Sequence, residues 1–150
     1  MMASLLLVFY LADFCYALKL DQVERVIHAV EITPLPGSLF VIEGLIDLAG
    51  EIVPVINMRK RFGLKERRVA LTDRIIIAQA GRRVGLLVDA VGEVLPQADF
   101  VPAKDLSPDL DYLEGAMHRD DKVIVIASLE RFLSREESDN LEEALCHAHS

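Results

Sequence analysis

The stretch from Leu5 to Ile27, LLLVFYLADFCYALKLDQVERVI, returns in altered letters from Arg74 to Leu95 as RIIIAQAGRRVGLLVDAVGEVL. Each copy is an apolar run, a polar break (Asp13 in the first, Gly81-Arg-Arg in the second) and another apolar run. Short runs rich in Val, Ile and Leu and bounded by turn residues read as strands, so each copy is a hairpin. Each hairpin runs straight into the pattern D-x-V-x-x-V-I/L, as Asp21, Val23, Val26, Ile27 and as Asp89, Val91, Val94, Leu95. Further on, Gly44 precedes the run Glu51-Ile-Val by the interval that separates Gly115 from Lys122-Val-Ile. Met58 and Phe62 then follow the first run as Leu129 and Phe132 follow the second, and both read as short helices leaving a strand.

Four ordered matches at near-constant spacing describe a duplicated β unit covering about residues 5–62 and 74–132, with a basic connector from Lys65 to Arg68. The expectation is an all-β chain in a single domain over 1–150, its two repeats forming two small five-stranded barrels packed together. Barrel closure removes exposed strand edges. The competing reading is one larger barrel or sandwich with accidental internal similarity. Val53, Val55, Ile76, Leu87, Val125 and Ile126 are expected to be buried in strands, as β-branched or aliphatic residues inside bounded runs. Gly44, on a strand pattern, marks a bulge or a close approach by another chain. Gly50, between two strands, is expected at positive φ. Ser134 and Glu137 stand at capping-box spacing, and Leu141 and Leu145 lie one turn apart, so a terminal helix is expected over 134–145 with a tail at 146–150.

The chain has 150 residues, 52% of them hydrophobic, and a net charge of −8. That length buries roughly 68–70% of the unfolded chain's surface in one core. The charge excludes general binding to nucleic acid, whose phosphates need a basic surface, and disfavours an anionic membrane. The apolar start at Leu5–Ala12 is interrupted by Asp13 and is far short of the roughly 20 residues that span a bilayer, so it reads as a buried strand and no membrane insertion is expected. Two cysteines, Cys15 and Cys146, make no disulfide framework, and a cytoplasmic location is expected.

No catalytic constellation emerges. The phosphate-cradling patterns G-x-x-x-x-G-K-S/T and G-x-G-x-x-G are missing, as are H-E-x-x-H and G-x-S-x-G. Cys15 lies mid-strand and reads as a small buried hydrophobe. Cys146, His147 and His149 carry zinc-compatible donors, but no turn fixes them and no fourth ligand is apparent. Asp105, Asp109 and Asp111 lack the Gly-centred calcium loop. The expectation is therefore no enzyme activity, no catalytic residue, no cofactor and no metal. The basic stretch Arg59-Lys-Arg61 with Lys65, Arg67 and Arg68 reads equally as a solvated connector or as a docking patch for an acidic partner.

Two segments resemble a known family. Glu31-Ile-Thr-Pro-Leu-Pro-Gly37, followed by Val41-Ile-Glu-Gly44-Leu-Ile-Asp-Leu-Ala-Gly50-Glu-Ile-Val-Pro54-Val-Ile-Asn-Met-Arg59, is similar to the CheW-like signature E-I-T-P-V/L-P-G and G-V/I-I-N-L-R-G-x-I/V-V/L-P-V-I-D-L-R. Gly85-Leu-Leu-Val-Asp89-Ala-Val-Gly-Glu-Val-Leu95 and Leu113-Glu-Gly115 also fit that family, so the likeness covers about residues 5 to 135. It implies two SH3-like barrels side by side. It also implies a scaffold in chemotaxis signal transduction, stationed at receptor arrays on the inner face of the membrane. One face would dock on the regulatory domain of a CheA-type histidine kinase, and an inter-barrel groove would hold the helical tip of a chemoreceptor. The segments whose family counterparts face the receptor carry Val23, Arg25, Val26, Gly44 and Ala49. Three of this chain's residues depart from the pattern: Ala49 replaces a usual Arg, Asn57 a usual Asp, and Arg25 an often acidic residue. Those departures leave a second reading, a divergent adaptor of a pilus-motility or other non-chemotactic two-component complex.

Overall fold

The computed structural model describes residues 4–35, 40–98, 100–102, 105 and 113–132. The expected helix at 134–145, the Cys146/His147/His149 tail, and Asp109 and Asp111 lie outside the described residues. Strands are β1 (Leu5–Leu11), β2 (Phe14–Lys19), β3 (Val23–His28), β4 (Ile42–Leu48), β5 (Glu51–Asn57), β6 (Arg74–Ala80), β7 (Arg82–Val88), β8 (Ala90–Pro96), β9 (Phe100–Pro102), β10 (Leu113–Arg119) and β11 (Lys122–Ala127). The short helix α1 (Met58–Arg61) follows β5, and a 3-10 turn (Leu129–Arg131) follows β11 at the corresponding place. The fold is all-β, as expected, with barrel-like packing.

The strands form two sheets, one in the order β8-β1-β2-β11-β10-β9 and one in the order β3-β6-β7-β5-β4. This corrects the expected allocation of one barrel to residues 5–62 and the other to 74–132. In the first hairpin β1 pairs with β8 and β2 with β11 of the second repeat, and in the second hairpin β6 pairs with β3 and β7 with β5 of the first, β4 lying beyond β5. Each sheet thus combines the hairpin of one repeat with the following strands of the other. The physical cause lies at Leu20–Gln22, a 3-10 turn flanked by extended residues Lys19 and Val23. It carries the chain onward from β2 into the opposite sheet instead of folding it back. Strand counts differ from five and five because β9 adds a sixth strand to one sheet. Its counterpart is a single bridge, Thr33 to Leu45, matching the pair Val101 to Ala116.

The duplication survives in the registers. Leu7 pairs with Leu18 as Ile76 pairs with Leu86, Ile126 with Ala17 as Val55 with Gly85, and Leu6 with Leu95 as Ile75 with Ile27. Alternation along each hairpin strand splits its apolar residues between two layers. Leu6 and Val8 pack inside the six-stranded sheet with Ala17, Ile124 and Ile126, while Ile75 and Ile77 pack inside the five-stranded sheet with Val53 and Val55. The intervening residues Leu7, Phe9, Leu11, Ile76, Ala78 and Leu86 meet in a third layer between the sheets. There Tyr16 stacks on Phe9 and on Phe62, and Phe62 meets Phe132 edge to face at 6.1 Å, so the equivalent phenylalanines of the two repeats touch. Of the six residues expected in the core, five are buried and Val125 is half-buried.

The turn between β4 and β5 holds Ala49 at φ 51° and Gly50 at φ 91°, and the Gly50 N–H donates to the Asp47 carboxylate at 2.8 Å. Nothing lies within 4 Å of a Cβ built on Gly50, so a side chain there meets backbone strain and no clash. Gly50→Val is expected to cost more than about 1 kcal/mol, because a β-branched residue is forced to positive φ. Equal melting temperatures for wild type and variant would refute the turn's role.

Candidate functional site

Arg25 projects from β3 with a side chain about half exposed, and its Nε lies 3.9 Å from the Glu24 carboxylate, a loose surface pair. A β-bulge between Val23 and Arg25 makes Glu24 the extra residue and re-aims this end of the strand. Glu24 accepts a hydrogen bond from Arg83 Nη2 at 2.7 Å, and Arg83 Nη1 donates to Glu51, the first residue after the Ala49–Gly50 turn. The clasp Glu24–Arg83–Glu51 therefore brings Arg25 on β3 and Ala49 on the β4–β5 turn to one end of the five-stranded sheet. Val26 is exposed, and Val23 is half-buried against the central layer.

Gly44 is not part of this end. It sits five residues from Ala49, roughly 17 Å along the strand at ~3.4 Å per residue. A Cβ on Gly44 would lie 2.3 Å from the Thr33 carbonyl oxygen, and a register shift falls between Ile42 and Gly44. Both readings of this glycine hold, the bulge and the close approach, but the approaching backbone is the chain's own. Beside it, Asn57 caps α1 by accepting the Lys60 N–H at 3.2 Å, and its amide donates to the Glu43 carboxylate at 3.0 Å. Lys60 sits 3.7 Å from Glu43 and 4.9 Å above the ring of the exposed Phe40. An aspartate could cap equally well but could not donate to Glu43, which explains this chain's amide.

The basic stretch turns inward. Asp89, where the chain crosses from β7 to β8, accepts the Ala12 N–H at 2.7 Å, Arg59 Nε at 2.9 Å and Arg59 Nη2 at 2.5 Å. Arg67 lies 3.1 Å from the same carboxylate and grips Asp73, only 3% exposed, at 2.5 Å. Burial by itself would raise the Asp89 pKa, but the hydrogen bonds from Arg59 and Ala12 and the charges of Arg67 and Arg59 outweigh it and hold the group below the usual carboxylate range. The hydrogen bond to Asp73 raises Arg67. With Lys60 on Glu43 and Arg61 buried, the first half of the stretch faces the protein's own carboxylates, and Arg67 joins it from a connector that is otherwise exposed at Lys65 and Arg68. Sequence reading missed this network and the Arg83 clasp. The one available signal was the repeated Asp of D-x-V, and its first copy, Asp21, is exposed.

Among the described residues no group of three or more His, Cys, Asp or Glu could hold a metal, and no helix is long and apolar enough to cross a membrane. The family model of the CheW-like domain matches residues 5–137. The chain belongs to the CheW-like domain family. It is 31% identical to a probable chemotaxis protein CheW of Rhizobium etli, covering 89% of this chain and 90% of the relative. It is 27% identical, over the same shares, to the chemotaxis protein CheW of Rhizobium meliloti. Among solved structures it is similar to that of the scaffolding protein TtCheW from Thermoanaerobacter tengcongensis, with a TM-score of 0.82, 37% identity, and coverage of 91% of this chain and 96% of that one.

Two measurements test the polar clusters. Asp89→Asn is expected to lower stability by about 2 kcal/mol at neutral pH, from the loss of charged hydrogen bonds. Because the folded pKa is depressed, the wild type's advantage is present above the unfolded value of about 4 and fades as pH falls through the folded one. Thermal melts across an acid series should show the gap closing; a gap independent of pH would refute the Asp89 pairing. Asn57→Asp sets a second carboxylate against Glu43 and should cost about 1–3 kcal/mol at neutral pH. Here one folded pKa is raised, so the deficit grows as pH rises above about 4 and is absent below it. Adding Glu43→Gln should restore the melting temperature, and failure to do so would rule out the repulsion.

Proposed function

We propose that the protein is a non-enzymatic adaptor that couples the cytoplasmic helical tip of a chemoreceptor to the regulatory domain of a CheA-type histidine kinase, at receptor arrays inside the cell. The observation that carries this reading is family membership across nearly the whole chain, with relatives that are themselves chemotaxis proteins CheW. The proposed receptor-facing residues are Val23, Arg25, Val26 and Ala49, with Gly44 acting indirectly by letting Thr33 brace β4. A helical tip needs an apolar strip, which Val23 and Val26 supply, and a charge to set its register, which Arg25 supplies. Arg25 is available for this, since its internal pair with Glu24 is long and exposed.

Capture of the kinase regulatory domain by the purified protein tests the scaffold role, and absence of binding would sink it. Arg25→Glu is expected to weaken binding of the receptor tip by about 1 kcal/mol, roughly fivefold, and to leave kinase binding unchanged. Ala49→Arg restores the family's usual charge at a site already at positive φ, so the fold should tolerate it. Equal or higher affinity for a chemoreceptor tip marks an ordinary coupler, and lower affinity marks one specialised for a different signalling complex. If neither substitution changes any affinity, this end of the sheet is not the binding surface.

A further inference from the structure

We propose that the end of the six-stranded sheet is a second docking site, a cleft that receives an arginine side chain presented by a partner protein. The proposal rests on the internal duplication and stands apart from the receptor assignment. Register equates the two ends residue by residue. Tyr10 faces Cys15 across β1 and β2 where Gln79 faces Arg83 across β6 and β7. Arg119 faces Lys122 beside the turn Asp120–Asp121 where Leu48 faces Glu51 beside the turn Ala49–Gly50. Asp120 repeats the positive φ of Ala49, 53° against 51°.

In the five-stranded sheet this end is closed by the chain's own guanidinium. Arg83 lies with its Nε out of solvent and its two terminal nitrogens on Glu24 and Glu51. In the six-stranded sheet Cys15 stands in Arg83's place, and a cleft of about 240 Å³ opens there. Its floor is Val8, Leu95 and Ile124, which suits the aliphatic stem of an arginine. Tyr10 forms a wall, and a planar guanidinium stacks on such a ring. Glu93, Asp120 and Asp121 stand on the rim against Arg119 and Lys122, three carboxylates to two cations. Arg119 lies 3.7 Å from Glu93, while neither Asp120 nor Asp121 forms an ion pair among the described residues. The excess of negative charge, the ring and the apolar floor favour a cation with an aliphatic stem. Burial raises the Cys15 thiol pKa, Lys122 opposes that and Glu93 adds to it, so the thiol alkylates slowly and its rate reports on occupancy of the cleft.

The test uses the full chain carrying Cys146→Ser and the probe N-acetyl-arginine methylamide, with the citrulline analogue as neutral isostere. Backbone amide shifts near Tyr10, Gly92 and Asp121 should move saturably in the millimolar range with the arginine probe. The probe should also slow alkylation of Cys15 severalfold, and the citrulline analogue should do neither. Asp120→Asn with Asp121→Asn should remove the response without changing the melting temperature of the apo protein by much. Cys15→Arg, which supplies a guanidinium from β2 as Arg83 does from β7, should abolish probe binding as well. If Cys15→Arg does not fold, the double Asn variant decides. An equal response to citrulline, no response to arginine, or a response untouched by the Asn substitutions would overturn the proposal.

Discussion

Apolar burial on both faces of the hairpin strands governs this structure. In β1, Leu6 and Val8 enter one layer while Leu7, Phe9 and Leu11 enter another, and in β6 the residues Ile75 and Ile77 part from Ile76 and Ala78 in the same way. A single sheet covers one of those faces. The other would be left in water, at a cost of about 1.5–3 kcal/mol for each large side chain. The two sheets must therefore meet, and the central layer they create is the largest of the three. Exchange of hairpins follows from the same demand, since the strand that leaves each hairpin continues into the opposite sheet. Neither sheet can then form without residues from both repeats, which couples their folding.

On this duplicated backbone the polar groups are not duplicated. Asp89 gathers Arg59, Arg67 and the Ala12 N–H, whereas its counterpart Asp21 is exposed. Arg83 closes one sheet end where Cys15 leaves the other open. Backbone pairing depends on register alone and so survives drift. A salt bridge depends on two particular side chains and is lost when either changes. The outcome is a near-symmetric frame with two unlike ends.

The residue sequence by itself marked the two hairpins, because short apolar runs bounded by turn residues are a local signal. It determined the positive φ at Gly50, the short helical turns after β5 and β11, and the lack of any known catalytic pattern. It also marked Gly44 as a position without room for a side chain. Tertiary structure alone decided which hairpin joins which sheet, since an apolar run is attracted equally to any apolar face and carries no address. It decided that the backbone over Gly44 is Thr33 of the same chain, and that Asn57 must donate to Glu43 as well as cap a helix. It drew Arg59 and Arg67 of the basic stretch onto Asp89. These contacts join groups as far apart as Ala12 and Asp89, 77 residues along the chain, and only the folded path brings such groups within hydrogen-bonding distance.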